Sequence, residues 1–274
     1  MIKLKNSIVI GLPDENFDAL TFKGDVYENF KLAKDLGYDA VEIAIRDPKS
    51  FPVSILEKAM KEFDMEISAI GTGMAYLTEG LSLSHNDREI REKAIERLKE
   101  HVNIAALINT LVIIGLIRGK AEGRKDAIDL FKDSMKRVCE FAVSKNVHIV
   151  IEPLNRYESD ILNTAEEAIK FIEEVRCENL GLLLDTFHMN IEEKDPVESI
   201  IKSQKWLKHF HVADSNRWAP GFGHIDFKAI FQALKDVNYK GFITVESLPK
   251  PENAKKAATY AIEFLKKTEK EVGI

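Results

Sequence analysis

Short apolar runs rich in β-branched residues alternate along the chain with longer stretches whose apolar positions recur every three to four residues. The short runs have the length and composition of buried strands, and the long ones have the period of amphipathic helices. Strands are predicted at Ser7–Leu12, Ala40–Ile45, Glu66–Gly71, Thr110–Gly115, His148–Pro153, Gly181–Asp185, Lys208–Val212 and Phe242–Glu246. Helices are predicted at Val26–Leu36, Val53–Phe63, Asp87–Ala106, Lys125–Ser144, Ala165–Val175, Pro196–Trp206, Asp226–Val237 and Ala254–Val272. Local signals support several boundaries. Thr164 precedes Ala165-Glu166-Glu167, an N-cap with Glu at the third helical position. Asp195-Pro196 puts proline at a first helical position, and Gly37 and Gly241 stand where a helix should end before a strand.

Eight strands alternating with eight helices, at about 34 residues per unit, predict an α/β fold of the (β/α)8 TIM-barrel type. An open doubly wound sheet is the competing arrangement, but no strand ends in a glycine-rich phosphate loop. Gly71-Thr72-Gly73 is a turn signal only. No linker or composition shift divides the chain, so residues 1–274 are read as one barrel domain.

Composition narrows the function classes. Hydrophobic residues make up 45%, enough for a full core, and 45 acidic against 39 basic residues leave a formal charge of −6. No basic block marks a nucleic-acid footprint. Cys139 and Cys177 show no CxxC spacing and are expected as free thiols in a reducing compartment. The start of the chain lacks the layout of a signal peptide, and no apolar stretch approaches the ~20 residues of a membrane span. A soluble cytoplasmic protein without nucleic-acid or membrane partners is expected.

The candidate chemistry lies at strand ends. Ile149-Val150-Ile151 leads to Glu152, Leu182-Leu183-Leu184 to Asp185, His209-Phe210 to His211, and Ile243-Thr244-Val245 to Glu246. These four residues lie 33, 26 and 35 positions apart, close to one βα unit each time. They should therefore line up around the C-terminal mouth of the barrel, where active sites of this fold lie. Taken singly, each would more often be a strand-end hydrogen-bonder or half of a salt bridge. Together, three carboxylates around one point resist ionising without a counter-charge, and a divalent cation removes the conflict. Three carboxylates and one imidazole suit Mn²⁺ first, with Mg²⁺ or Co²⁺ as alternatives, better than a cysteine-rich zinc site would.

At these residues the sequence resembles the D-tagatose 3-epimerase group of the xylose-isomerase-like sugar isomerase/epimerase superfamily. The similarity is densest in Glu152-Pro153-Leu154-Asn155-Arg156-Tyr157-Glu158 with Leu162-Asn163-Thr164, and in Leu184-Asp185-Thr186-Phe187-His188-Met189-Asn190. It continues through His211-Val212-Ala213-Asp214-Ser215-Asn216-Arg217, Pro220-Gly221 and Gly223-His224-Ile225-Asp226. The resemblance implies C3 epimerisation of a keto-sugar without a nucleotide cofactor. The substrate would be a ketohexose such as tagatose, psicose or fructose, or a keto-sugar acid such as a ketogluconate. It implies that Glu152, Asp185, His211 and Glu246 bind the metal. Glu152 and Glu246 would be the acid/base pair on opposite faces of the sugar, and Glu158, His188 and Arg217 would hold its O1–O3 end. It also implies a homo-oligomer, dimer or tetramer. The chemistry agrees with these roles. A metal-polarised carbonyl makes the neighbouring C–H removable through an enediolate, and inverting the centre requires two bases.

The first half of the chain matches less closely, and Ser247-Leu248-Pro249 follows Glu246 where the group carries an aromatic. Arg46, Arg118, Lys120 and Lys250 fall in mouth loops, where solvation is their usual role; recognition of a distal carboxylate or phosphate is the sharper reading. Phe17, Met74, Tyr76 and Trp218 are candidate apolar walls, with core packing the equal alternative, while Asn163, Asp214 and Asn216 are expected to shape loops. The alternative within the isomerases is a hydroxypyruvate isomerase-type aldose–ketose isomerase. An endonuclease IV-like repair enzyme would need more histidine ligands and a basic surface than seven histidines and a negative charge provide.

Overall fold

Parallel pairing joins the predicted strands in chain order. The computed structural model describes residues 4–12 and 18–274. Its strands are β1 (Lys5–Gly11), β2 (Phe22–Lys23), β3 (Ala40–Ala44), β4 (Glu66–Gly71) and β5 (Val112–Ile114). They continue with β6 (Ile149–Ile151), β7 (Leu180–Asp185), β8 (Leu207–Val212) and β9 (Phe242–Val245). β2 is a short flap beside β1, and the other eight close into a barrel when β9 pairs with β1. Around them lie α1 (Val26–Leu36), α2 (Val53–Phe63), α3 (Gly73–Glu79), α4 (Arg88–Ile108) and α5 (Ala127–Ser144). The second half adds α6 (Ala165–Val175), α7 (Thr186–Glu192), α8 (Pro196–Lys202), α9 (Phe227–Asp236) and α10 (Ala254–Val272). None of the helices described is long and apolar enough to cross a membrane.

Period-two alternation divides each strand between two cores. Ile8, Ile10, Val41, Ile43, Leu182, Leu184, Phe210, Val212, Ile243 and Val245 face the helices in one continuous cluster. The intervening residues face the lumen, where Ala69, Ile113, Val150 and Leu183 form a separate apolar group beneath β4–β7. The other half of the lumen is polar. There Ser7 Oγ lies 2.7 Å from Ser68 Oγ, Ser68 reaches Thr244 at 3.5 Å, and Thr244 Oγ1 lies 3.1 Å from His209 Nε2.

Several boundary signals act as expected. Thr164 and Glu167 form a reciprocal capping box at α6, Asp195 caps α8 ahead of Pro196, and Gly37 ends α1 at φ 90°. Others differ. After α9 the left-handed residue is Asn238 (φ 56°); Gly241 instead makes room for Tyr239, whose Oη would lie 2.3 Å from a Cβ there. The helix predicted to reach Trp206 stops at Lys202, because the chain must turn through Ser203 to enter β8. β2, α3 and α7 lie outside the predicted elements. The predicted wall residue Phe17 lies outside the described residues.

Candidate active site and metal centre

Each candidate ligand is placed by a strand end. Glu152 follows β6, and its N–H donates to the Ile114 carbonyl (3.1 Å). Asp185 ends β7 and stands in register with His211 on β8. Glu246 follows β9, with its N–H on the Val212 carbonyl at 3.2 Å. The four are buried, and one potential ligand atom from each falls within 4.8 Å of all the others. His211 Nδ1 lies 3.5 Å from Glu152 Oε1, 3.5 Å from Glu246 Oε2 and 3.9 Å from Asp185 Oδ2. Two of these buried atoms, His211 Nδ1 and Glu152 Oε1, have no hydrogen-bond partner among the described residues. Orphaned buried polar atoms are uncommon, and a pair facing one point amid three carboxylates fits a divalent cation. Gly115 keeps the space open: a Cβ there would sit 2.8 Å from Glu152 Oε2.

The electrostatics of the protein alone express the same crowding. Burial, reinforced by the charges of Glu246 and Asp185, pushes the Glu152 carboxyl up to about 7 despite the neighbouring His211. Burial opposes ionisation of Asp185 too, but the Arg217 charge, aided by His211 and the Phe187 N–H, outweighs it and holds that carboxyl below its usual range. His211 is buried, yet Glu42, Glu246 and Glu152 raise it well above an ordinary imidazole. Arg217 supplies the nearest fixed positive charge. Its Nη1 donates to Asp185 Oδ2 at 2.7 Å, and its Nη2 donates to Glu246 Oε2. Its guanidinium carbon lies 4.8 Å from the centre of the Phe187 ring.

Arg217 reaches this position through a left-handed backbone (φ 62°). Asp214 shapes that loop by accepting from the N–H groups of Ser215, Gly221 and Ile225. Asn216 bonds Phe222 O and Trp218 N, and Asn163 bonds Leu154 O and Ser159 O. All three are loop-shaping, as their sequence context suggested.

His188 projects from α7, whose N-cap is Asp185 itself: Asp185 Oδ1 accepts from Phe187 N at 2.7 Å. Asn155 Nδ2 donates to His188 Nδ1 and to Glu158 Oε1, both at 2.8 Å. An accepting Nδ1 leaves the ring proton on Nε2, which lies 3.9 Å from Glu152 Oε1. Burial pushes His188 down to about 3, so it stays neutral. Glu158 is half-buried, and burial raises its carboxyl. Thus Glu152, Glu158, His188, His211, Arg217 and Glu246 line one cleft, with Asp185 held beside it by Arg217. Val9, Leu20, Ala44, Met74, Leu116 and Leu154 form its apolar side.

The other sequence candidates fall elsewhere. Arg118 is not a mouth residue: it is 0% exposed, and its guanidinium donates to the carbonyls of Glu152 and Leu162. Arg46 is half-buried and lies 3.9 Å from Glu79, and Lys250 is exposed. Only Lys120 of the four lines the outer mouth, beside Tyr76, Tyr157 and Leu248. Trp218 is half-buried and lines neither region. Sequence reasoning passed over Asn155 as a tautomer-setting residue, and it passed over Glu42 and His209. The signal for the last two was present: Val41-Glu42-Ile43 and His209-Phe210-His211 place polar residues on alternate positions of buried strands.

Residues 30–268 match the family described as Xylose isomerase-like TIM barrel. The chain is 32% identical to an L-ribulose 3-epimerase of Methylomonas sp. (strain DH-1), over 77% of this chain and 74% of that protein. It is 30% identical to a ketose 3-epimerase of Arthrobacter globiformis, over 78% and 74% respectively. Among solved structures, it is similar to the D-allulose 3-epimerase from Methylomonas sp. in complex with D-allulose. That similarity has a TM-score of 0.81 at 26% identity and covers 97% of this chain and 98% of the other.

Proposed function

The chain belongs to the xylose isomerase-like TIM barrel family, and from that premise we propose that it is a metal-dependent epimerase inverting C3 of a keto-sugar. The observation that carries this reading is the convergence of two glutamates from separate strands, with Asp185, on an imidazole nitrogen that has no hydrogen-bond partner among the described residues. Its relatives act on L-ribulose, ketoses and D-allulose, so a free ketose is the proposed substrate class. Glu152, Asp185, His211 and Glu246 would hold the metal, with Mn²⁺ favoured by the donor set. A bound divalent ion polarises the carbonyl beside the reacting carbon and offsets the charge that develops there.

The remaining work falls to the chain's own side chains. Glu152 and Glu246 stand after β6 and β9, separated around the barrel by β7 and β8. One takes the C3 proton and the other returns a proton to the opposite face, since a single base would restore the original configuration. Arg217 and the His188 Nε2–H donate to substrate oxygens as negative charge develops. Glu158, tethered by Asn155, accepts from a sugar hydroxyl. The apolar side of the cleft keeps water from the reacting face. A dimer or tetramer in a reducing cytoplasm completes the reading.

The test uses metal-loaded protein with ketoses in D₂O. Deuterium is expected at C3, and exchange should be lost on metal removal and in Glu152→Gln and Glu246→Gln. Exchange that survives both substitutions sinks the two-base mechanism. A panel of free ketoses, ketose phosphates and keto-sugar acids then assigns the substrate, with Lys120 the cation placed to favour an anionic distal end.

A further inference from the structure

His211 has two ring nitrogens, and they face opposite ways. Nδ1 looks toward Glu152, Asp185 and Glu246. Nε2 looks across the lumen and lies 2.9 Å from Oε2 of Glu42. Glu42 comes from β3, which is separated from β8 around the barrel by β1 and β9, so the bond spans the interior. The same Oε2 lies 2.8 Å from Nε2 of His209, which also meets Thr244 Oγ1. Glu42, His209 and His211 are 1%, 0% and 1% exposed, so water does not compete for these contacts.

A carboxylate can only accept, so the N–H of His211 belongs on Nε2. The lone pair is then left on Nδ1, the nitrogen with no hydrogen-bond partner among the described residues. We propose that Glu42 is a positioning residue of the metal centre: it selects the Nε2–H form of His211 and aims Nδ1 at the point shared by the three carboxylates. His209 braces the device, because its own Nε2–H holds the Glu42 carboxylate from a second direction. Ligand histidines generally need such a partner on the distal nitrogen to fix both tautomer and ring orientation. The inference rests on the metal reading proposed above.

Glu42, His209 and His211 also lie close enough together to ligate an ion of their own, a competing arrangement that the same experiment separates. Metal-stripped wild type, Glu42→Gln and Glu42→Ala are titrated with Mn²⁺ by calorimetry, with thermal unfolding of each metal-free protein as the control for folding. One ion per chain is expected throughout, bound about 10–100-fold more weakly in both variants. Long-range ¹H–¹⁵N correlation on Mg²⁺-loaded wild type should show His211 protonated on Nε2, a result that needs no variant to fold.

Affinity unchanged in a folded Glu42 variant overturns the inference, as does an Nδ1–H form of His211. Two ions per chain, one of them lost in His209→Asn, would make Glu42 a ligand and overturn it as well. Failure of the wild type to bind any divalent ion removes this inference together with the metal reading. Equal binding by the variants removes this inference alone.

Discussion

At Glu152 a single carboxyl meets burial, two neighbouring carboxylates and a histidine, and its held-up proton has a measurable consequence. Metal binding requires the carboxylate, whereas burial and the charges of Glu246 and Asp185 keep Glu152 protonated up to about 7. His211 is likewise raised, by Glu42 and Glu246 against the effect of burial. Both shifts favour the protonated forms, so protons compete with the ion. Mn²⁺ affinity should therefore weaken as pH falls through about 7, by about tenfold or more per unit. Titrations between pH 5.5 and 8.5 check this, and a flat profile contradicts it. His188, pushed down to about 3 by burial, adds nothing in that range. The four candidate ligands were legible because an acid or histidine ending a run of β-branched residues breaks the local pattern. Arg118 was not legible, because whether a loop arginine meets water or backbone carbonyls depends on chain segments 34 and 44 residues away.

Between the strands, short elements carry much of the positioning. α7 has seven residues, too few to show a helical period, and its first cap is a residue that also ends a strand. Pattern reading therefore merged it with the loop, although it presents His188. Arg118 ties the turn after β5 to the end of β6 and to the β6–α6 loop through two carbonyls. Arg118→Leu would leave both carbonyls buried without a donor, at roughly 1–3 kcal/mol each. Urea unfolding should show a loss of that order. A change within 0.5 kcal/mol, about the scale of an ordinary surface substitution, would mean that the two contacts contribute little.

For the whole molecule, the lumen is divided: Ala69, Ile113, Val150 and Leu183 fill one half, and Ser7, Ser68, Thr244, His209 and Glu42 hydrogen-bond across the other. The polar half supports the mouth from below, and an ion at the mouth would tie β6, β7, β8 and β9 together. A bound ion should therefore stabilise the entire barrel. At a hundredfold excess over Kd, it should add about 2.7 kcal/mol and raise Tm by roughly 5–10 °C. Scanning calorimetry with Mn²⁺ and with chelator measures the difference, and equal Tm values would contradict a metal centre built from these four strands. Strand and helix alternation, the closed barrel and the row of strand-end acids and histidine that could hold an ion were all legible in the sequence. They follow from local periodicity and from the repeat length of one βα unit. Only the tertiary structure decided that Glu42 meets His211, that Asn155 orients His188, and that Arg118 is buried. Those contacts join residues on different strands and loops across the barrel, and their geometry depends on strand register and closure, which periodicity along the chain does not encode.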